Sequence, residues 1–258
     1  AVASTAGASN TWTPLNLFLT HTPWWYTMSV FIIIGYFTVR IRFATITALL
    51  LAFIGASGMW MHSMITLSSV LVSVLICFVI GVPLGIIASY NKWYRDIQNV
   101  VLDAMQTLPY FCYLIPVLMF FGGNIVSAVI ATVIYAVPPI IRLTALGLSQ
   151  VSGSYSEVSR SFGGTGIQTL NKVKFPLAVP SLVMGFNQTV IMAFAMQIVT
   201  PLIGGKGLGL QVFNALQRSD TGRGLSAGLA IVLLAIIIDR ISHAWTKKQR
   251  IALGLDKS

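Results

Sequence analysis

Acidic side chains are nearly absent from this chain, which has 6 Asp and Glu against 16 Lys and Arg in 258 residues. Paired carboxylates for acid–base chemistry are missing, as is any Ser/His/Asp or HExxH constellation. No G-x-x-x-x-G-K-[S/T] run occurs, so the usual loop that cradles ATP phosphates is lacking. The 2 cysteines, Cys77 and Cys112, lie in apolar stretches without CxxC or metal-ligand spacing and read as packing residues. His21, His62 and His243 are isolated from one another, so no metal site is expected. No repeat of 20–50 residues and no low-complexity linker breaks the chain into parts.

What fills the chain instead is apolar surface, with 56% hydrophobic residues and a mean hydropathy of +0.83. A soluble core of this length cannot hide that much, so bilayer is the natural solvent. The net charge of +10 suggests nucleic acid only until the charges are located. They sit in short loops between apolar spans, as membrane topology requires.

Seven apolar segments can be marked, at roughly 24–39, 43–60, 63–89, 108–122, 124–141, 177–203 and 225–242. Threaded alternately, one face receives Arg40 and Arg42, Lys92 and Arg95, then Arg142, Arg160, Lys172 and Lys174, and the five cations from Arg240 to Lys257. The other keeps only Lys206, Arg218 and Arg223. The positive-inside rule then predicts an outside N-terminus and a cytoplasmic C-terminus. Trp24, Trp25, Trp60, Trp93 and Trp245 fall near span ends, as interface anchors do. Residues 1–23 carry no charge, so no signal peptide is expected there, and a start at Ala1 is compatible with a longer natural N-terminus.

Between the fifth and sixth segments lies a polar, basic insert, Arg142 to Phe175, on the predicted cytoplasmic side. Ser154 and Glu157 have capping-box spacing, and Tyr155, Val158 and Phe162 recur as a short apolar stripe. Gly163 and Gly164 allow a left-handed stop, and a second short helix, about Ile167 to Lys174, is expected before Pro176. Such a helix–glycine–helix is either a lid on its own domain or a docking knob.

The spacing Glu157, Gly163, then Val173-Lys-Phe-Pro176 resembles the cytoplasmic "EAA" loop of permease subunits in binding-protein-dependent ABC importers. Leu102-Asp-Ala-Met-Gln-Thr-Leu-Pro109, Ala136-Val-Pro-Pro-Ile-Ile-Arg-Leu-Thr144, Gly185-Phe-Asn-Gln-Thr189 and Ile238-Asp-Arg240 are similar to glycine betaine/proline (quaternary amine) uptake permeases. The likeness runs from about residue 17 to residue 250. Val158 and Ser159 stand where alanines are usual, and Thr200-Pro-Leu-Ile-Gly-Gly-Lys206 where the family has small and apolar residues.

The resemblance implies an all-α, polytopic type I importer permease of about seven transmembrane helices in the bacterial inner membrane. It implies a non-enzymatic transport subunit without cofactor, working as a homodimer with an ATPase subunit that binds ATP and Mg and with an extracytoplasmic binding protein. It places Ser154, Glu157, Val158, Arg160, Phe162, Gly163 and Gly164 at the ATPase contact. The solute is expected to be glycine betaine, proline betaine, choline or a related methylated amine, caged mainly by aromatic rings of the receptor. An amino acid importer and an ion-coupled secondary transporter are the alternatives. The division expected is 1–62 (outside segment and two peripheral spans), 63–242 (core, with coupling loop 142–176) and 243–258 (cytoplasmic tail).

Thr107, Pro109, Gln188, Met192, Met196 and Gln197 are candidates for the translocation path, with plain helix packing as the competing reading. Asp103 is either a functional acid or the partner of an arginine, and Asp239 is expected to pair with Arg240. Gly81 and Gly85 have the spacing of close helix approach, or flank a proline hinge at Pro83.

Overall fold

A computed structural model describes residues 18–19, 22–39 and 41–252. The side chains of Arg40, Arg42, Trp245 and the cations beyond it, and most of the outside segment, fall beyond what is described. The helices are α1 (Trp24–Val39), α2 (Ile41–Ala56), α3 (Trp60–Tyr90), α4 (Lys92–Thr107), α5 (Phe111–Phe121), α6 (Ile125–Ala136) and α7 (Pro138–Ser149). They continue as α8 (Gly153–Ser161), α9 (Gly166–Thr169), a π-helical turn (Leu170–Lys174), α10 (Phe175–Met196), a 3₁₀ turn (Thr200–Ile203), α11 (Leu208–Arg218) and α12 (Thr221–Ala252).

Four stretches are long and apolar enough to cross a membrane: α3, α6–α7, α9–α10 and α12. The pair α4–α5 is bent by 97° and makes either a fifth, broken span or a re-entrant loop, and α1 and α2 supply two shorter apolar helices. The order matches the expected seven segments, but two junctions differ. The expected fourth segment is only the outer arm of the bent pair; its first arm, α4, is helical and amphipathic where a loop was expected. Pro109, in the break, explains this: it biases Leu108 to extended backbone, ψ 132°. Nor does Pro176 separate two helices. Residues 166–196 form one rod, and the amide of Phe175 reaches back five residues to the carbonyl of Leu170, a π-turn of the kind that inserts a residue into a helix.

The core is a sandwich with α7 in the middle, packed chiefly against α3 on one side and α10 on the other. Both contacts are built on glycine. Gly81 of α3 faces Ile140, and a Cβ on Gly85 would sit 2.6 Å from Thr144 Cβ and 2.7 Å from the carbonyl of Ile141. Across the other seam a Cβ on Gly147 would lie 2.6 Å from Ser181 Cβ. The GxxxG spacing therefore acts as a close-approach seam. Ser63, Thr66, Ser69 and Ser73 extend the same buried small-residue face of α3 toward its N-terminus.

Two ends of the bundle can be told apart by contacts between distant loops. At one, Thr66 Oγ1 accepts the amide of Leu208 at 2.8 Å, and Gly204 lies against Gly123 and Asn124. Lys206, Arg218 and Arg223 belong to this end. At the other, Lys174 Nζ lies 5.1 Å above the Tyr90 ring, joining the start of the rod 166–196 to the end of α3, close in sequence to Lys92 and Lys172.

Candidate functional site

The cation-rich end carries a protruding knob. The cap of α8 falls two residues earlier than the expected box: Ser152 is the N-cap, its hydroxyl accepting the amide of Ser154 at 3.4 Å. Ser154 and Glu157 therefore do not form the capping box. The reciprocal box is at Thr165 and Gln168, where Thr165 Oγ1 accepts the Gln168 amide at 3.3 Å and Gln168 Oε1 accepts the Thr165 amide at 2.9 Å. It wins because Thr165 directly follows the turn and supplies a hydroxyl where α9 begins.

The turn itself is as expected. Gly163 has φ 76°, its amide donates to Arg160, and the Gly164 amide donates to the Ser159 carbonyl at 2.9 Å. Gly164 has no room for a side chain, since a Cβ would lie 2.6 Å from Ser159 Oγ. A hydroxyl pair, Ser159 with Thr169 at 2.8 Å, ties α8 to α9. The knob is thereby locked from within, and its apolar stripe is left outside. Tyr155, Val158 and Phe162 are exposed, Phe162 at 88%. Ile167, exposed at 74%, extends the patch from the second helix. Glu157 and Arg160 are also exposed on α8. No residue of α8 is buried, so this helix does not cover its own domain, and the lid reading loses its support. An exposed apolar patch of this kind is the sort of surface at which interaction sites occur.

Asp103 is the partner of an arginine: Arg142 Nη2 donates to Asp103 Oδ1 at 2.6 Å, joining α4 to α7. Asp239 does not pair with Arg240 but faces His243 Nε2 at 3.4 Å, because i and i+4 share a helix face and neighbours do not. The Asp103–Arg142 contact is half-open to solvent, so it adds little to stability. Reversing either charge alone should nevertheless spoil the α4–α7 geometry, since like charges at contact cost between about 1 and 4 kcal/mol. Asp103→Arg and Arg142→Asp are each expected to lower the melting midpoint in detergent by at least roughly 2–4 °C, and the exchanged pair to recover most of that loss. Equal loss in the exchanged pair would show that the two side chains do not act through each other.

The expected path residues separate into two sets. Thr107 and Pro109 stand exposed at the break of the bent span, with the Thr107 hydroxyl donating to Ala104 at 3.1 Å. Gln188 is exposed and Met192 half-buried on α10. Met196 and Gln197 are buried, at 1% and 3%, against other residues of this chain. Met196 shares a small cluster with Leu114, Val117, Ala131 and Ile203, against which Tyr135 packs. Beside it, Tyr110, Phe111, Tyr113 and Tyr135 form an aromatic group that the sequence reading passed over. Cys77 is buried and Cys112 exposed. Among the described residues no cluster of three or more metal-ligating side chains occurs.

Residues 81–251 match the family described as binding-protein-dependent transport system inner membrane component. The glycine betaine/proline betaine transport system permease protein ProW of Escherichia coli (strain K12) is 42% identical over 221 residues, covering 86% of this chain and 62% of that protein. The glycine betaine/carnitine transport permease protein GbuB of Listeria monocytogenes serotype 1/2a is 46% identical over 191 residues, 74% of this chain and 68% of that one. This chain thus spans less than two thirds of the length of ProW. In three dimensions it is similar to an inward-facing structure of the MetNI methionine ABC transporter, with a TM-score of 0.65 and 22% identity over 72% of this chain and 93% of the other. That likeness carries the fold.

Proposed function

We propose a function from one premise: the chain belongs to the family of inner membrane components of binding-protein-dependent transport systems, and it has the permease fold. It is the membrane-spanning subunit of an ATP-driven importer for a small methylated amine such as glycine betaine, proline betaine or choline. The solutes of the relatives ProW and GbuB, glycine betaine, proline betaine and carnitine, support that class. The single observation that carries the mechanism is the uncovered apolar tip at Tyr155, Val158 and Phe162, rigidly mounted on the rod of residues 166–196.

The chain has no phosphate loop of its own, so nucleotide chemistry belongs to a separate ATPase seated on that tip. Glu157, Arg160, Gly163, Gly164 and Ser154 frame or hold the contact. When two ATPases close on ATP, the knob moves with them, and α10, which is continuous with it, transmits the displacement into the bundle. Two copies of the chain enclose the path, each contributing its bent span. An extracytoplasmic receptor delivers the solute at the Lys206 end. The knob lies cytoplasmic, with the C-terminus, by the positive-inside rule. Residues 63–242 form the core, with the coupling loop 142–176 inside it, and residues 1–62 flank it.

Purification from its own membranes with a tag on this chain is expected to bring down an ATPase and a second permease copy. Vesicles holding the complex and receptor are expected to accumulate glycine betaine with ATP and without an ion gradient. Uptake driven by an ion gradient alone would replace the importer by a secondary transporter. ATP-driven uptake of an amino acid but not of glycine betaine would keep the importer and change its solute.

A further inference from the structure

The aromatic group lies where two helix discontinuities meet. Tyr110 stands in the break of the bent span, Phe111 and Tyr113 open its second arm, and Tyr135 ends α6 just before the Pro138 junction. Ring centroids are 4.8 Å apart for Tyr110–Phe111, 6.3 Å for Tyr110–Tyr135 and 6.1 Å for Tyr113–Tyr135. The planes of the last two pairs are inclined by 88° and 62°, so the rings do not form one stack and their faces look in different directions.

Depth is consistent with a path. Tyr135 lies about ten residues into the span 125–149, roughly 15 Å along it, which is near the middle of a ~30 Å hydrocarbon layer. Broken backbone at that depth is tolerated where it faces a cavity or other protein. Tyr110 and Phe111 keep 42% and 48% of their surface uncovered. The Tyr113 hydroxyl is bound to the carbonyl of Met105 across the bend, which fixes that ring relative to the first arm. Tyr135 is held by the Met196 cluster.

A trimethylated ammonium has no N–H to donate, so ring faces are the group best suited to hold it. The four rings carry no formal charge of their own, so a cation can settle there and leave without breaking a salt bridge. A transport site needs that combination of attraction and easy release.

We propose that Tyr110, Tyr113 and Tyr135, with Phe111, form an aromatic way-station for the quaternary ammonium group inside the permease itself. The inference rests on the solute class proposed above and deepens it. Recognition is then shared between the receptor and this chain.

The test uses the complete complex with receptor in vesicles, with radiolabelled glycine betaine as probe. Tyr110→Phe and Tyr135→Phe keep the ring faces and are expected to hold uptake within about twofold. Trifluorinated phenylalanine at the same two positions keeps the shape while draining the ring face. It is expected to lower the glycine betaine moved per ATP hydrolysed about tenfold, with receptor-stimulated ATP hydrolysis retained. Uptake per ATP unchanged by fluorination would overturn the way-station and leave the importer reading standing. If the unaltered complex moves no quaternary amine under ATP, the solute class and the way-station fall together.

Discussion

Phe162→Asp is expected to reduce ATP-driven uptake by roughly 30-fold or more while the protein inserts and folds as before. The ring is 88% exposed, at the end of a helix with no buried residue. Substitutions at such surface positions usually change stability by less than about 0.5 kcal/mol. Nothing within the chain should therefore register the change. At an interface the same ring is an anchor, and losing an aromatic hot spot costs about 2 kcal/mol or more, which is the stated fold-change. A carboxylate forced into an apolar groove adds desolvation to that loss. The accompanying readout is the amount of ATPase that co-purifies, which should fall in parallel. Gly163→Pro attacks the same knob from inside. Its φ of 76° is closed to proline, and the amide that donates to Arg160 would be removed. It too is expected to stop uptake, through a displaced α8. Normal uptake by both variants, with the ATPase still bound, would mean that the motor docks elsewhere.

Much of this arrangement was legible from residue types alone, and the failures have physical causes. The order of the spans followed from hydropathy, because a bilayer core excludes unsatisfied backbone and imposes length. The glycine turn at Gly163 followed from φ requirements that few other residues meet. The capping box was misplaced because Ser154–Glu157 and Thr165–Gln168 have the same spacing, and only the position of the chain break decides which hydroxyl meets a free amide. The continuity of α10 through Pro176 was hidden because a π-turn absorbs the missing donor. The Asp103–Arg142 contact spans 39 residues and was legible only as a preference for some arginine. Met196 and Gln197, chosen by chemistry as path residues, are buried in this structure, because a helix packs some of its polar and flexible side chains against neighbours. The tyrosine group has no sequence signal, because Tyr110 lies in the break while Tyr113 and Tyr135 lie on two different helices, and no spacing rule joins them.

Gly85→Val is expected to be among the most damaging changes in the bundle. A Cβ there would meet the Thr144 side chain at 2.6 Å and the Ile141 carbonyl at 2.7 Å. The first neighbour can turn; the second is helix backbone, so α3 and α7 must move apart. Overpacking a close seam costs about 1–3 kcal/mol, and contact with backbone places this case at the upper end. For a chain of this size, that corresponds to a melting midpoint lower by roughly 6–12 °C in detergent. The loss should reach function as well, because α7 holds Arg142 and runs within a few residues of the knob. Uptake is therefore expected to fall further than protein abundance does. Gly55→Ala and Gly228→Ala supply the contrast: nothing lies within 4 Å of the added carbon at either, and Ala favours helix over Gly, so their midpoints should equal or exceed the parent's. If Gly85→Val melts with those two controls, α3 and α7 are not in van der Waals contact, and the sandwich that supports the knob is wrongly assembled.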